Sequence, residues 1–249
     1  MAVLAANWKL HKSTEEAVAW VQAVKASPLV PKAEIIVLPG FLQIPAVARE
    51  VDGTGVRLGA QDVFWEAAGA YTGMVSAAQA QEAGCSYALI AHSERRRFAA
   101  DDDRGAGRRI RAALSSGLTP IYCVGEELET RRTGRSRAAL RSQYDIGFAG
   151  LTPDEARGVI VAYEPVWAIG SGQPASPAEA AEVAQSIREG VAGRTGLANG
   201  LRILYGGSVT PENVKGYLAD AGMDGVLVGS ASLDAMEFLA LLRAVVGNG

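Results

Sequence analysis

Residues 159–172 read Val159-Ile160-Val161-Ala162-Tyr163-Glu164-Pro165-Val166-Trp167-Ala168-Ile169-Gly170-Ser171-Gly172, an apolar run that stops abruptly at a carboxylate and a proline. Consecutive apolar residues rich in β-branched Val and Ile suit a strand buried on both faces, as strands of a parallel sheet are. Downstream, Ser176 precedes Pro177 and Glu179, combining a cap, a first-turn proline and an early carboxylate, and Ala178–Ala192 has helical spacing. A second apolar run, Arg202–Tyr205, follows. Strand, helix and strand in this order make the unit from which parallel sheets are built.

The unit recurs along the whole chain. Strands are expected at Val3–Ala6, Glu34–Leu38, Val56–Ala60, Tyr87–Ala91, Thr119–Val124, Val159–Tyr163, Arg202–Tyr205 and Gly225–Val228. Amphipathic spacing marks helices at Glu15–Lys25, Asp103–Leu114, Ser136–Phe148, Ala178–Ala192, Glu212–Ala219 and Ala235–Val245, with weaker ones at Leu42–Glu50 and Val75–Glu82. Ser13 and Thr14 ahead of Glu16, and Thr210 ahead of Pro211 and Glu212, repeat the helix-start signal. The spacing of the strands leaves no room for a second domain. Eight units in 249 residues predict an α/β protein, a closed (β/α)8 barrel with residues 1–249 as a single domain. An open, doubly wound sheet is the structural alternative.

Composition narrows the function classes. With 24 Lys and Arg against 27 Asp and Glu the formal charge is −3, so the basic footprint of a nucleic-acid binder is missing. No apolar run approaches the roughly 18 residues of a membrane span, and the first residues lack a charged-then-apolar signal pattern. A cytoplasmic protein without membrane partners is expected. Cys85 and Cys123, with no C-x-x-C pair and no Cys/His zinc spacing, point away from metal and redox roles.

A barrel gathers its chemistry where the strands end at their C-terminal side. Asn7-Trp8-Lys9 follows the first strand, His92-Ser93-Glu94 the fourth and Glu164 the sixth. Lys9 offers a compact positive charge with three donors for an anionic substrate. His92 is followed by residues that start a helix, whose N-terminal dipole opposes protonation of the ring, so a neutral imidazole donating to a carbonyl is reasonable; a structural histidine is the alternative. Glu164 beside an apolar segment is expected to have its ionised form destabilised and so to be a better general base. Residues 165–172, with a proline start, an apolar middle and a Gly-Ser-Gly end, suit a lid that closes on two hinges, or an ordinary connection. Tyr205-Gly206-Gly207-Ser208 and Val228-Gly229-Ser230-Ala231 stand where such barrels hold a phosphate on backbone N–H groups. His11 is expected to face solvent, Arg95–Arg97 to balance Asp101–Asp103, and Arg131, Arg132, Arg135 and Arg137 to form a solvated face.

Taken together, the strand exits become specific. Asn7-Trp8-Lys9, His92-Ser93-Glu94-Arg95-Arg96, Tyr163-Glu164-Pro165-Val166-Trp167-Ala168-Ile169-Gly170 and Tyr205-Gly206-Gly207-Ser208-Val209 resemble, in order and spacing, the signature stretches of the triosephosphate isomerase family. The resemblance covers almost the whole chain. It implies interconversion of dihydroxyacetone phosphate and D-glyceraldehyde 3-phosphate through an enediolate, with no cofactor and no metal. It makes Glu164 the base, His92 the neutral imidazole that polarises the carbonyl, and Asn7 and Lys9 substrate contacts; Glu94 matches an active-site carboxylate. Residues 165–173 correspond to a mobile lid, and Gly170, Ser208, Gly229 and Ser230 to phosphate-gripping positions. The stretch 61–74 resembles a loop that reaches into a neighbouring subunit, which implies a homodimer with Thr72 near the partner's Asn7–Lys9 region.

Several residues depart from the family pattern. Ala6 and Ala91 stand where glycine is usual, Ser230 replaces a second glycine, Asp62 and Met74 replace asparagine and glutamate in the interface loop, and Gln173 replaces a frequent lysine. Another sugar-phosphate isomerase or aldolase is disfavoured because no strand-end lysine is placed for Schiff-base chemistry. A catalytically silent sugar-phosphate-binding barrel is disfavoured because it needs no base opposite its phosphate site.

Overall fold

In a computed structural model describing residues 1–169 and 174–247, eight parallel strands close in chain order into a barrel. They are β1 Val3–Asn7, β2 Glu34–Leu38, β3 Val56–Ala60, β4 Tyr87–Ile90, β5 Thr119–Val124, β6 Ile160–Tyr163, β7 Arg202–Tyr205 and β8 Gly225–Val228. β8 pairs back onto β1, with Val3 opposite Gly225 and Ala6 opposite Val228, so no sheet edge remains and the open-sheet alternative is removed.

Eleven α-helices lie among the described residues: α1 Thr14–Lys25, α2 Ile44–Val51, α3 Ala77–Glu82, α4 Ser93–Phe98, α5 Asp103–Ser115, α6 Leu128–Arg132, α7 Ser136–Gly147, α8 Pro153–Arg157, α9 Pro177–Thr195, α10 Val214–Ala219 and α11 Ala235–Val246. Ser13 and Ser176 each complete a capping box, with Glu16 and Glu179. The expected start at Thr210 is not used. Asn213 accepts from the Thr210 N–H and donates to the Ser208 carbonyl, which closes a turn there, and α10 begins at Val214. The one-turn helices α6 and α8 are too short to give a periodic signal.

Strand alternation sorts the side chains into two layers. Val3, Ala5, Ile36, Leu38, Leu89, Ile121, Cys123, Ile160, Ala162, Leu204 and Leu227 form one buried cluster, the filling of the cylinder. Most of the remaining apolar strand residues face the helices in a larger cluster that also holds Trp8, which packs edge-on against Trp20 at 5.0 Å. Residues of interior parity one step beyond the filling are Asn7, Gly125, Glu164, Gly206 and Gly229. The barrel's own alternation therefore aims them at its mouth. At the opposite end Glu34 accepts from Tyr87 and Arg202, closing the floor with a polar network.

Beyond β3, Asp62 is buried between two arginines, 2.9 Å from Arg95 Nη2 and 3.3 Å from Arg109 Nε, and both arginines also bond Asp101. The Asp62 Oδ1 and Arg109 Nε atoms nevertheless make no hydrogen bond. Burial pushes the Asp62 carboxyl up to about 6, outweighing the two guanidinium groups. A folded-state value above the unfolded one means that its stabilising contribution is complete below about pH 4 and is lost as pH rises through about 6. Asp62→Asn removes this pH dependence, so its stability relative to wild type is expected to be greater at pH 8 than near pH 4. Urea unfolding at the two pH values checks this, and a difference that is equal at both or smaller at pH 8 contradicts it.

Candidate active site

At the end of β1, Asn7 is buried, and its Oδ1 accepts from the Lys9 N–H at 3.1 Å. This short polar turn sets Lys9 in the left-handed region, with φ of 52°. Gln61, after β3, donates to the carbonyls of both Lys9 and Leu38 at 2.8 and 2.9 Å, tying three strand exits together. Held in this way, Lys9 reaches Glu94 across the mouth, with Nζ 2.7 Å from Oε1.

At the end of β4, His92 caps α4. Its Nδ1 accepts from the Glu94 N–H at 3.2 Å, and its Nε2 lies 2.9 Å from Glu164 Oε1. An Nδ1 that accepts a backbone N–H carries no hydrogen of its own, so the ring hydrogen belongs on Nε2, directed at the carboxylate. Glu164 is 2% exposed. Its Oε2 accepts from the Ser93 N–H at 2.9 Å, and the Cys123 thiol is a further hydrogen-bond partner from the layer below.

The electrostatics correct the expectation for Glu164. Burial raises its pKa, but His92 together with the bonds from Ser93 and Cys123 more than reverses this, and the carboxyl lies below its ordinary value. His92 shows the mirror effect. Burial lowers its proton affinity, and the charge of Glu164 overrides burial, leaving the ring above its ordinary value. Both shifts belong to the pair. Once Glu164 moves away, burial, the amide at Nδ1 and the charge of Lys9 oppose protonation of the ring, with Glu94 the remaining group that favours it.

Across the mouth, the turns after β7 and β8 complete a cavity of about 570 Å³ lined by Asn7, Lys9, His92, Glu94, Glu164, Gly206, Ser208, Gly229 and Ser230 among others. The two glycines at 206 and 229 permit close approach: a Cβ on Gly206 would lie 2.9 Å from Glu164 Cγ, and one on Gly229 would lie 3.3 Å from Lys9 Cε. Ser208 donates to the Ala168 carbonyl at 3.3 Å, linking the β7 turn to the segment after Glu164. Gly170 and Gln173 lie outside the described residues. His11 is exposed at the cavity rim. Among the described residues, no group of three His, Cys, Asp or Glu side chains is arranged to hold a metal ion.

The triosephosphate isomerase family profile matches residues 2–245. The chain belongs to the triosephosphate isomerase family. Relatives carrying the name triosephosphate isomerase include those of Caldanaerobacter subterraneus subsp. tengcongensis, 43% identical over 97% of this chain and 98% of its own, and Geotalea uraniireducens, 46% identical over 97% of each. That of Citrifermentans bemidjiense is 45% identical over the same shares.

Neither Cys123 nor Gln61 is expected at the site from the sequence, and Ser93, a hydrogen-bonding residue beside His92, bonds Glu164 instead. Ser93 supplies a backbone donor to Glu164; Cys123 shares the interior parity of Gly125 and lies one layer below the mouth; Gln61 locks Lys9. Parity was the available signal for Cys123 alone. Arg131, assigned to a solvated face, instead stacks over Trp167 at 4.4 Å and pairs with Glu179. Arg95 and Arg96 do pair with Asp101 and Asp103.

The alanine departures from the family pattern differ in consequence. Ala6 is an ordinary β1 residue, whereas Ala91 has φ of 57°, a conformation that strains any residue with a Cβ. Arg96 fixes it there by donating to the Ala91 carbonyl at 3.0 Å. Ala91→Gly is expected to raise stability by about 0.5–1 kcal/mol, the strain relieved less the extra freedom of glycine when unfolded. A lower urea midpoint at fixed protein concentration would contradict this.

Proposed function

We propose that the chain interconverts dihydroxyacetone phosphate and D-glyceraldehyde 3-phosphate, with Glu164 as the base. The observation that carries this is the buried Glu164 carboxylate, 2.9 Å from His92 Nε2, facing the glycine turns after β7 and β8 across one cavity. Substrate enters between the two side chains, its phosphate on the N–H groups around Ser208, Gly229 and Ser230, with Gly170 as a further contact from the sequence pattern. Glu164 then loses His92 and Ser93 as partners, and its basicity rises where the proton must be taken.

Glu164 removes a proton from the carbon next to the carbonyl, leaving an enediolate. The His92 Nε2–H polarises the carbonyl oxygen and moves a proton between the two oxygens, and Glu164 returns its proton to the neighbouring carbon. Lys9 offsets the negative charge that grows on the oxygens, with Asn7 holding its turn and Glu94 holding its ammonium group. Binding energy from the phosphate, which does not react, assists the proton transfer several bonds away. A silent phosphate-binding barrel gives no account of a buried carboxylate and imidazole opposite the phosphate turns.

The working unit is a homodimer formed through the 61–74 loop, with Thr72 beside the Asn7–Lys9 region of the partner subunit. Leu10, Leu42, Tyr71, Met74 and Phe98, exposed apolar residues at the β1 to β4 exits, support this reading. Sedimentation of the wild type as a monomer at micromolar concentration would contradict it. Residues 1–249 act as one barrel domain in the cytoplasm; among the described residues no helix is long and apolar enough to cross a membrane.

Glu164→Gln is expected to lower kcat for conversion of glyceraldehyde 3-phosphate by about 10²–10⁴, the usual contribution of a positioned base. Glu164→Asp, which retracts the carboxylate, should lose much of the turnover and keep phosphate binding. A coupled dehydrogenase assay reads both. Wild-type turnover in Glu164→Gln would remove Glu164 as base, and an inactive, folded wild type would revive the silent barrel.

A further inference from the structure

Gly125 lies where β5 leaves the barrel, and its backbone touches that of Glu164. A Cβ built on Gly125 would sit 1.8 Å from the Glu164 carbonyl oxygen and 3.4 Å from its Cα. The two segments are packed at the limit of contact, so a displacement of Gly125 is a displacement of Glu164. The β5–β6 pairing ends with Val124 opposite Tyr163, and backbone bonds flank Gly125 on either side, from the Glu164 N–H to the Val124 carbonyl at 2.7 Å and from the Val166 N–H to the Glu126 carbonyl at 3.2 Å.

The N–H and carbonyl of Gly125 itself take no part in these bonds, and one side chain takes both. The Gly125 N–H donates to Gln143 Oε1 at 2.8 Å, and Gln143 Nε2 donates to the Gly125 carbonyl at 2.8 Å. The carboxamide offers the same donor and acceptor pair as the peptide group of an adjoining strand, and so extends the sheet by one residue. Gln143 is itself anchored, since its own carbonyl accepts from the Tyr122 hydroxyl of β5 at 2.9 Å. It does not line the cavity that holds His92 and Glu164.

We propose that Gln143 is a positioning residue for the isomerisation, acting through Gly125 to fix the backbone from which the Glu164 carboxylate reaches substrate. The inference rests on Glu164 being the base. A base displaced by about 1 Å loses about a hundredfold in rate, while the phosphate-binding Ser208, Gly229 and Ser230 of the turns after β7 and β8 take no hydrogen bond from Gly125 or Gln143. Gln143 thus governs turnover and not phosphate affinity.

The test compares wild type with Gln143→Leu, which removes both bonds, and Gln143→Glu, which keeps an acceptor for the Gly125 N–H and sets a carboxylate oxygen against its carbonyl. Turnover per active site, KM and inhibition by inorganic phosphate are measured on the full-length proteins. The expected result is a kcat about ten- to a hundredfold lower in Gln143→Leu and at least about tenfold lower in Gln143→Glu, with KM and phosphate inhibition within about twofold of wild type. Unchanged kcat per active site, or a parallel loss of phosphate affinity, overturns the proposal. If Gln143→Leu does not fold, Gln143→Glu decides by the same split. An inactive wild type would instead overturn the function proposed above, which keeps the two failures apart.

Discussion

A carboxylate buried at the mouth of an apolar barrel must be paired or neutralised, and the pairing of Glu164 with His92 is the interaction on which the rest of the site depends. At 2.9 Å, and with Ser93 and Cys123 as further donors, it keeps Glu164 ionised despite burial. That pairing requires the His92 ring to stand at the start of α4, which in turn requires the left-handed turn at Ala91 and its anchor on Arg96. On the other side Glu164 is seated by Gly125 and Gly206, which permit the two neighbouring strand exits to come within contact distance. A preformed pair of this kind holds acid and base at low cost in reorganisation, since substrate has only to separate two groups that are already oriented.

Much of the fold was legible because its signal is local. Continuous apolar runs mark strands buried on both faces, and β2, β3, β5, β7 and β8 begin and end where those runs do. β1, β4 and β6 differ by one residue at an end, since Asn7, Ala91 and Val159 lie at the limits of their runs. Helix α10 ends at the expected Ala219 but starts two residues late, because Asn213 competes for the Thr210 backbone, a contest between a side chain and the main chain that spacing does not reveal.

The site divides in the same way. Asn7, Lys9, His92, Glu94, Glu164, Ser208, Gly229 and Ser230 are found from position alone, as polar or glycine residues at strand exits, and the structure brings them to one cavity. What position does not carry is the sign of an electrostatic shift. Glu164 looks like a carboxylate made basic by apolar neighbours until His92, Ser93 and Cys123, distant in sequence, are seen around it. The clamp of Gln143 on Gly125 spans 18 residues, and the stacking of Arg131 on Trp167 likewise joins separate units. The departures at Ala91 and Asp62 are local strains, one in the backbone and one in buried charge, borne in a barrel whose remaining layers are closely packed.

The proton affinities of His92 and Glu164 are set by each other, and nitrogen NMR of the His92 ring, titrated in wild type and in Glu164→Gln, tests this. A neutral ring with its hydrogen on Nε2 is expected in the variant at neutral pH, with a His92 pKa lower there than in wild type. An equal or higher pKa in the variant would contradict it.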